Sequence, residues 1–232
     1  LNPLSNTIHE EQIVYEDNHI IVVNKLPSEI VQGDKTGDLP LSEKLKNYIK
    51  KRDNKPGNVF MGVIHRIDRP VSGLVIFAKT SKALSRFNEL MREKGLNKTY
   101  WAIVKNKPTK PEDHLVHYLL KNEKTNKTKA FEKPVKDGQK SELAYKFIKS
   151  SDNYHLLEIQ LFTGRHHQIR SQLAAIGCPI KGDIKYGFDR TNKDASIHLH
   201  AYRLRFIHPI KKEELTLKAV PLMNDPVWNY FK

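Results

Sequence analysis

Short apolar runs, closed off by glycine, proline or turn residues, recur along the chain and limit its fold more than any other feature. Ile20 to Val23 is a β-branched run, and Val59 to Ile64 and Leu74 to Ala78 are bounded by Gly or Pro. Runs of this length predict buried strands. Lys98 to Lys105, Glu142 to Lys149 and Tyr154 to Leu161 extend the pattern, with Asn153 turning between the last two. Ser196 to Phe206 and Leu215 to Val220 close it. Two segments break into helical spacing instead. Leu41 to Lys51 sets Leu41, Leu45, Tyr48 and Ile49 on one face, and Ser81 to Lys94 does so with Leu84, Phe87, Leu90 and Met91 before Gly95. A third helix is expected from about Gly164 to Ile176, with Thr163 as its N-cap, Gly177 as its stop and Pro179 beyond. Dominant strands with scattered helices and hairpin-length links predict an α+β fold with a mixed, mainly antiparallel central sheet and flanking helices. No repeat or long linker divides the 232 residues, so a single domain over 1–232 is expected.

The charge balance points to a partner. Lys and Arg number 40 against 26 Asp and Glu, a formal charge of +14. Cations that neutralise phosphates release condensed counterions, so a polyanion such as RNA is the expected partner, against the blander reading of a merely solubilising excess. From Lys105 to Lys149 there are 12 Lys and six acids, interrupted by Pro108, Pro111, Pro134 and Gly138. This stretch reads as a mobile basic arm or a solvated loop. The single cysteine, Cys178, excludes an intramolecular disulfide and a cysteine-cluster metal site. No apolar run reaches the ~20 residues of a membrane span, and residues 1–10 lack the signal-peptide pattern, so no membrane partner and a cytoplasmic location are expected.

Two segments carry chemistry. In His65-Arg66-Ile67-Asp68-Arg69-Pro70, an acid stands between two arginines just after an apolar run. Nearby guanidinium favours the ionised carboxylate, which suits Asp68 as a nucleophile or base; a structural Asp-Arg turn fits the spacing equally. Ile67 and the lack of a Gly-rich phosphate loop set the segment apart from a protein-kinase catalytic loop. In Thr163-Gly164-Arg165-His166-His167-Gln168-Ile169-Arg170, helical spacing would set His166 and Arg170 on one face. Arg170 could meet a buried carboxylate, clamp a phosphate, or belong to a basic amphipathic helix. Neither His166-His167 nor His198-x-His200 specifies a third metal ligand, so no metal is expected. Tyr100 and Trp101 alternate on a strand, one inward and one outward, available for core packing or for stacking on an extruded base.

With these residues in place, the sequence resembles the RluA-type RNA pseudouridine synthases. His65 to Gly73 followed by Leu74 to Lys79 is similar to that family's His-Arg-Leu-Asp-x-x-Thr-Ser-Gly-Leu-Leu-x-x-Ala-Lys block. Glu16-Asp17 through Ile20 to Lys25 resembles its opening motif, and Lys98-Thr99-Tyr100 its Lys-x-Tyr element. Thr163 to Leu173, running on to Gly182-Asp183 and Lys185-Tyr186-Gly187, resembles its arginine motif; His198 to Ala201 with His208-Pro209 resembles its C-terminal block. The resemblance implies a pseudouridine synthase fold with a catalytic cleft and a cofactor-free isomerisation of uridine in rRNA or tRNA. It makes Asp68 the essential acid, attacking C1′ or abstracting a ribose proton. Arg170 would pair with Asp68, Tyr100 would pack on the target base, and Arg66 would fill the gap left by the flipped uridine. His65, Arg66, Arg69, Arg165, His167 and Gln168 are the RNA-binding candidates. A monomer is expected, without the N-terminal S4 domain that many relatives carry, since the opening motif begins near Glu16. The competing reading is a catalytically inactive RNA-binding or ribosome-assembly protein on the same fold. Val71 and His166 stand where the family usually has Thr, Ser171-Gln172 where Val-His is common, and Leu26-Pro27-Ser28 where Pro-Ala-Gly is usual.

Overall fold

The computed structural model describes residues 5–34 and 36–232, so residues 1–4 of the N-terminal stretch lie outside the described residues. In chain order its elements are β1 (Ile13–Glu16), β2 (Ile20–Lys25), α1 (Leu41–Arg52), β3 (Gly62–Val63), β4 (Ser72–Ala78), α2 (Ser81–Arg92), β5 (Asn97–Val104) and β6 (Glu112–Asn122). There follow β7 (Lys127–Phe131), β8 (Gln139–Ser150), β9 (His155–Leu161), α3 (Gln168–Ala175), β10 (Leu199–Ile207), β11 (Glu214–Lys218) and α4 (Pro226–Phe231). Chain contacts gather these into two compact units. The first holds the described residues up to Leu96 with His200–Asp225, the second Asn97–Leu199 with Pro226–Lys232.

In the first unit β2 pairs antiparallel with β1 and β4, and β10 pairs parallel with β4 and antiparallel with β11. The sheet is therefore mixed. Its central strands are covered on both faces, which is why β2 and β4 are continuous apolar runs rather than alternating ones. Ile20, Val22, Leu74 and Ile76 turn to one face and pack with Ala83 and Phe87 of α2. Ile21, Val23, Val75 and Phe77 turn to the other and pack with Leu41, Leu45 and Ile49 of α1. The expected strand over Val59 to Ile64 shrinks to β3, because one edge of β4 is paired along its length by β2 and the other is open to β3 only at Phe77 and Ala78. Val59 and Met61 still enter the α1-side core, as coil. Thr80 caps α2, its hydroxyl oxygen accepting the Ala83 N–H at 3.1 Å. The helix ends at Arg92, two residues short of the expected Lys94: Lys94 takes the left-handed position, φ 56°, and Gly95 N–H closes the turn on the Leu90 carbonyl.

In the second unit β5, β9, β8, β6 and β7 pair in that order, all antiparallel. The basic stretch expected as a mobile arm or loop is thus largely built into strands. The lysines of β7 sit at outward positions, Lys127 and Lys129 flanking buried Thr128, while Leu115, His117 and Leu119 of β6 face inward. Helix α3 begins at Gln168, four residues later than Thr163 and Gly164 suggest, because His167 adopts φ 50° and interrupts helical progression. Its far end is as expected: Gly177 at φ 74° lets its N–H reach the Ala174 carbonyl and the Cys178 N–H reach that of Leu173. Strand β1, helix α4 and the pair β6–β7 were not legible from the residue pattern. No helix among the described residues is long and apolar enough to cross a membrane.

Candidate functional site

The predicted site residues divide between the two units. His65, Arg66, Asp68 and Arg69 occupy the loop from β3 to β4 in the first. Tyr100, Arg165, His167, Gln168 and Arg170 belong to the second.

The Asp68 loop is fixed at both ends. His65 Nε2 accepts the Ile76 N–H at 3.2 Å, tying the start of the loop to β4. The Asp68 carbonyl accepts the Val71 N–H at 3.0 Å, a turn that aims the chain back into the sheet. At that exit Gly73 lies at φ 115°, and a β-carbon there would come within 2.4 Å of the Ala201 backbone. The Ser-Gly step of the motif is therefore a packing requirement of the parallel β4–β10 pair. The Ser72 hydroxyl lies 2.8 Å from His200 Nδ1 while His200 Nε2–H donates to the Ala219 carbonyl at 2.8 Å, so this buried histidine ties the start of β4 to β10 and to the chain after β11.

Beneath the loop lies a cation that the sequence pattern did not single out. Lys25 is fully buried, and its ammonium donates to the carbonyls of Leu26 (2.9 Å), Glu29 (2.8 Å) and Arg69 (3.0 Å). Burial pushes its pKa down to about 7, with the charges of Glu29 and Asp68 pulling it back. Glu29 is held in turn by Lys44 at 2.9 Å and by Gln12 at 2.9 Å. Within this unit the charge of Lys25 thus bears on Asp68 from beneath the loop. Arg69 pairs with exposed Asp38, and Arg66 is exposed, without a hydrogen bond or ion pair among the described residues. Residues 15 apart, such as Glu29 and Lys44, leave no local signature of such a network.

In the second unit, Tyr100 is buried on β5 and Trp101 is half-exposed on its opposite face, as alternation predicts. Arg170 is buried in α3 and forms a bidentate pair with Asp183, Nε to Oδ2 at 2.7 Å and Nη2 to Oδ1 at 2.9 Å. Its guanidinium stands over the Tyr186 ring at 5.0 Å. The Tyr186 hydroxyl accepts the Thr128 N–H from β7 at 2.8 Å and lies 2.8 Å from His167 Nδ1. Asp183 and Tyr186 thus hold the arginine, a role the residue pattern did not assign them.

The loop before α3 is organised by Gln168. Its Oε1 accepts from the Thr163 hydroxyl (2.8 Å) and the Arg165 N–H (3.0 Å), and its Nε2 donates to the Glu142 carbonyl (3.0 Å). Thr163 is consequently not the helix cap, and the buried Gln168 amide is an internal brace rather than part of the contact surface expected for it. His166 lies outside the helix, so it does not share a helical face with Arg170; it stacks on His167 at 3.8 Å and bonds the Thr128 hydroxyl. No group of three potential metal ligands is gathered among the described residues.

Comparison with known proteins agrees with this arrangement of motifs. The model of the RNA pseudouridylate synthase family matches residues 19–175. The chain is 32% identical to a tRNA pseudouridine synthase C of Vibrio parahaemolyticus, the match covering 90% of each chain. It is also 32% identical to a ribosomal large subunit pseudouridine synthase C of Rickettsia bellii, over 93% of this chain and 70% of that one. Among solved structures, human RNA pseudouridylate synthase domain containing 4 aligns with a TM-score of 0.77 at 22% identity, covering 95% of this chain and 91% of that one, a likeness of fold. The protein belongs to the RNA pseudouridylate synthase family.

Proposed function

We propose that the protein isomerises uridine to pseudouridine in structured RNA, ribosomal or transfer, with Asp68 as the essential nucleophile or base. The observation that carries this reading is the family match over residues 19–175, which takes in Asp68, Tyr100 and Arg170. The same span crosses both units and supports treating 1–232 as one catalytic domain; that it acts as a monomer is part of the same proposal. The glycosidic bond from N1 to C1′ breaks, the uracil turns, and C1′ rejoins through C5, with loss of the C5 proton. A stacked base cannot turn in this way, so the nucleotide is first extruded, at a cost of a few kcal/mol. Exposed Arg66 fills the vacated space, and exposed Arg165 with half-buried His65, Arg69 and His167 meet the RNA. Tyr100 packs on the target base. Arg170, oriented by Asp183, pairs with Asp68 and keeps it ionised; the five donors of a guanidinium allow one arginine to serve two carboxylates. No cofactor or metal takes part.

Tritium release from RNA labelled at uridine C5 tests the reading. The wild-type protein releases tritium from a large-subunit rRNA transcript or from bulk tRNA. Asp68→Ala reduces release to background while RNA affinity stays within a few-fold, since phosphate contacts dominate binding. Absence of release from either RNA by the wild type would instead support a non-catalytic RNA-binding protein.

A further inference from the structure

Lys98 lies on β5 two residues before Tyr100, so the two side chains leave the strand on the same face, about 6.7 Å apart along it. It pairs across the sheet with Leu161, the last residue of β9 before the 163–167 loop. The side chain is half-buried, yet its ammonium has no hydrogen bond, ion pair or charged neighbour among the described residues. Burial is the sole cause holding its pKa below the usual lysine range. Its Nζ sits against Gly164: a β-carbon at that position would come within 3.3 Å of it. Arg165, next along, is exposed and likewise without a side-chain partner among the described residues.

A desolvated ammonium without a partner is a net cost to the folded state. Another desolvated lysine of the chain resolves that cost internally. Lys25, fully buried, donates to three carbonyls. Lys98 has no such acceptor among the described residues, which leaves its ammonium open to an acceptor supplied by a ligand. The group must be an acceptor, and an anionic one offsets the desolvation best. In RNA that group is the phosphodiester. We propose that Lys98, with Arg165 beside it across Gly164, binds a backbone phosphate next to the target uridine while Tyr100 packs on the base. The assignment rests on the uridine-isomerase reading and deepens it. Lys98 is a binding residue here, with no part in bond making.

The test sets stability against affinity. Lys98→Met keeps the length and loses the charge. The melting temperature then rises by about 2–4 °C, because a desolvated charge has been removed. Affinity for whichever C5-tritiated RNA the wild type converts, rRNA transcript or bulk tRNA, falls about tenfold, and the slope of log affinity against log salt shrinks by about one. Lys98→Arg retains the charge and keeps the wild-type salt slope, and Lys98→Gln, should the methionine variant fold poorly, reproduces the shallower one. An unchanged affinity and slope in the charge-removed variants overturns the proposal, as does a fall in melting temperature with binding intact, which would make Lys98 a packing residue. A wild type that releases no tritium from either RNA defeats the isomerase reading instead, and is distinguishable because the methionine variant is read separately by its melting temperature and RNA affinity.

Discussion

Lys25 shows what a single side chain can contribute without touching substrate. Its three acceptors match the three donors of an ammonium, and one of them, the Arg69 carbonyl, is the residue after Asp68. The folded-state pKa, pushed down to about 7 by burial against an ordinary 10.5, sets the sign of its pH dependence. Below pH 7 both folded and unfolded states hold the proton, and the burial cost is fully felt. Between pH 7 and about 10.5 the unfolded chain keeps a proton that the folded one releases, so stability on this account rises with pH and levels off above. Lys25→Met removes that rise and leaves three buried carbonyls without donors. It should destabilise the protein by about 2 kcal/mol at neutral pH, and urea titrations at pH 7 and 9.5 should show the wild type gaining stability relative to the variant. Equal pH dependence in the two would contradict the account. The loop that carries Asp68 was legible as a motif because its residues are contiguous. Lys25 was visible only as part of a motif, because its partners at 26, 29 and 69 converge through the fold.

At the scale of elements, helices α1 and α2 and strands β2 and β4 were readable because each buries a face or a whole run. The boundary at α3 was not. A Thr-Gly step before an apolar stripe is the pattern of an N-cap, but the Thr163 hydroxyl is spent on Gln168 and on the Glu142 N–H, bonds between residues up to 21 apart. Strands β6 and β7 were hidden by their lysines, although the Lys-Thr-Lys-Ala alternation from 127 to 130 has the period of a strand with one wet face. The β4–β10 pair offers the sharpest test of an element. Gly73→Ala places a β-carbon within 2.4 Å of the Ala201 backbone at a φ that side chains rarely adopt. The expected loss is about 3 kcal/mol or more, read from the denaturation midpoint, with activity falling as the Asp68 loop loses its anchor. A loss under about 1 kcal/mol would mean that the two strands can separate without consequence.

Over the whole molecule, the charge of +14 governs association rather than chemistry. Raising salt from about 50 to about 200 mM should weaken RNA binding by two to three orders of magnitude while leaving turnover at saturating RNA within a few-fold. Alanine at Lys121, Lys124, Lys127 and Lys129, all exposed on the β6–β7 hairpin, should reduce both the affinity and its salt slope. An unchanged slope would show that the hairpin stays in solvent. Residues 5–34 and 36–232 fold as strand and helix patterning said they would in class, since short apolar runs and helical stripes report burial directly. The sequence by itself determined the α+β class, the loop that presents Asp68, the family, and the polyanion-seeking charge, because each is written in contiguous residues or in composition. Only the tertiary structure decided that Lys25 underlies that loop, that Asp183 and Tyr186 hold Arg170, that Gln168 braces the turn before α3, and that Lys98 is left without a partner among the described residues. These depend on which distant groups meet in a desolvated interior, where a hydrogen bond made or missing is worth far more than in water.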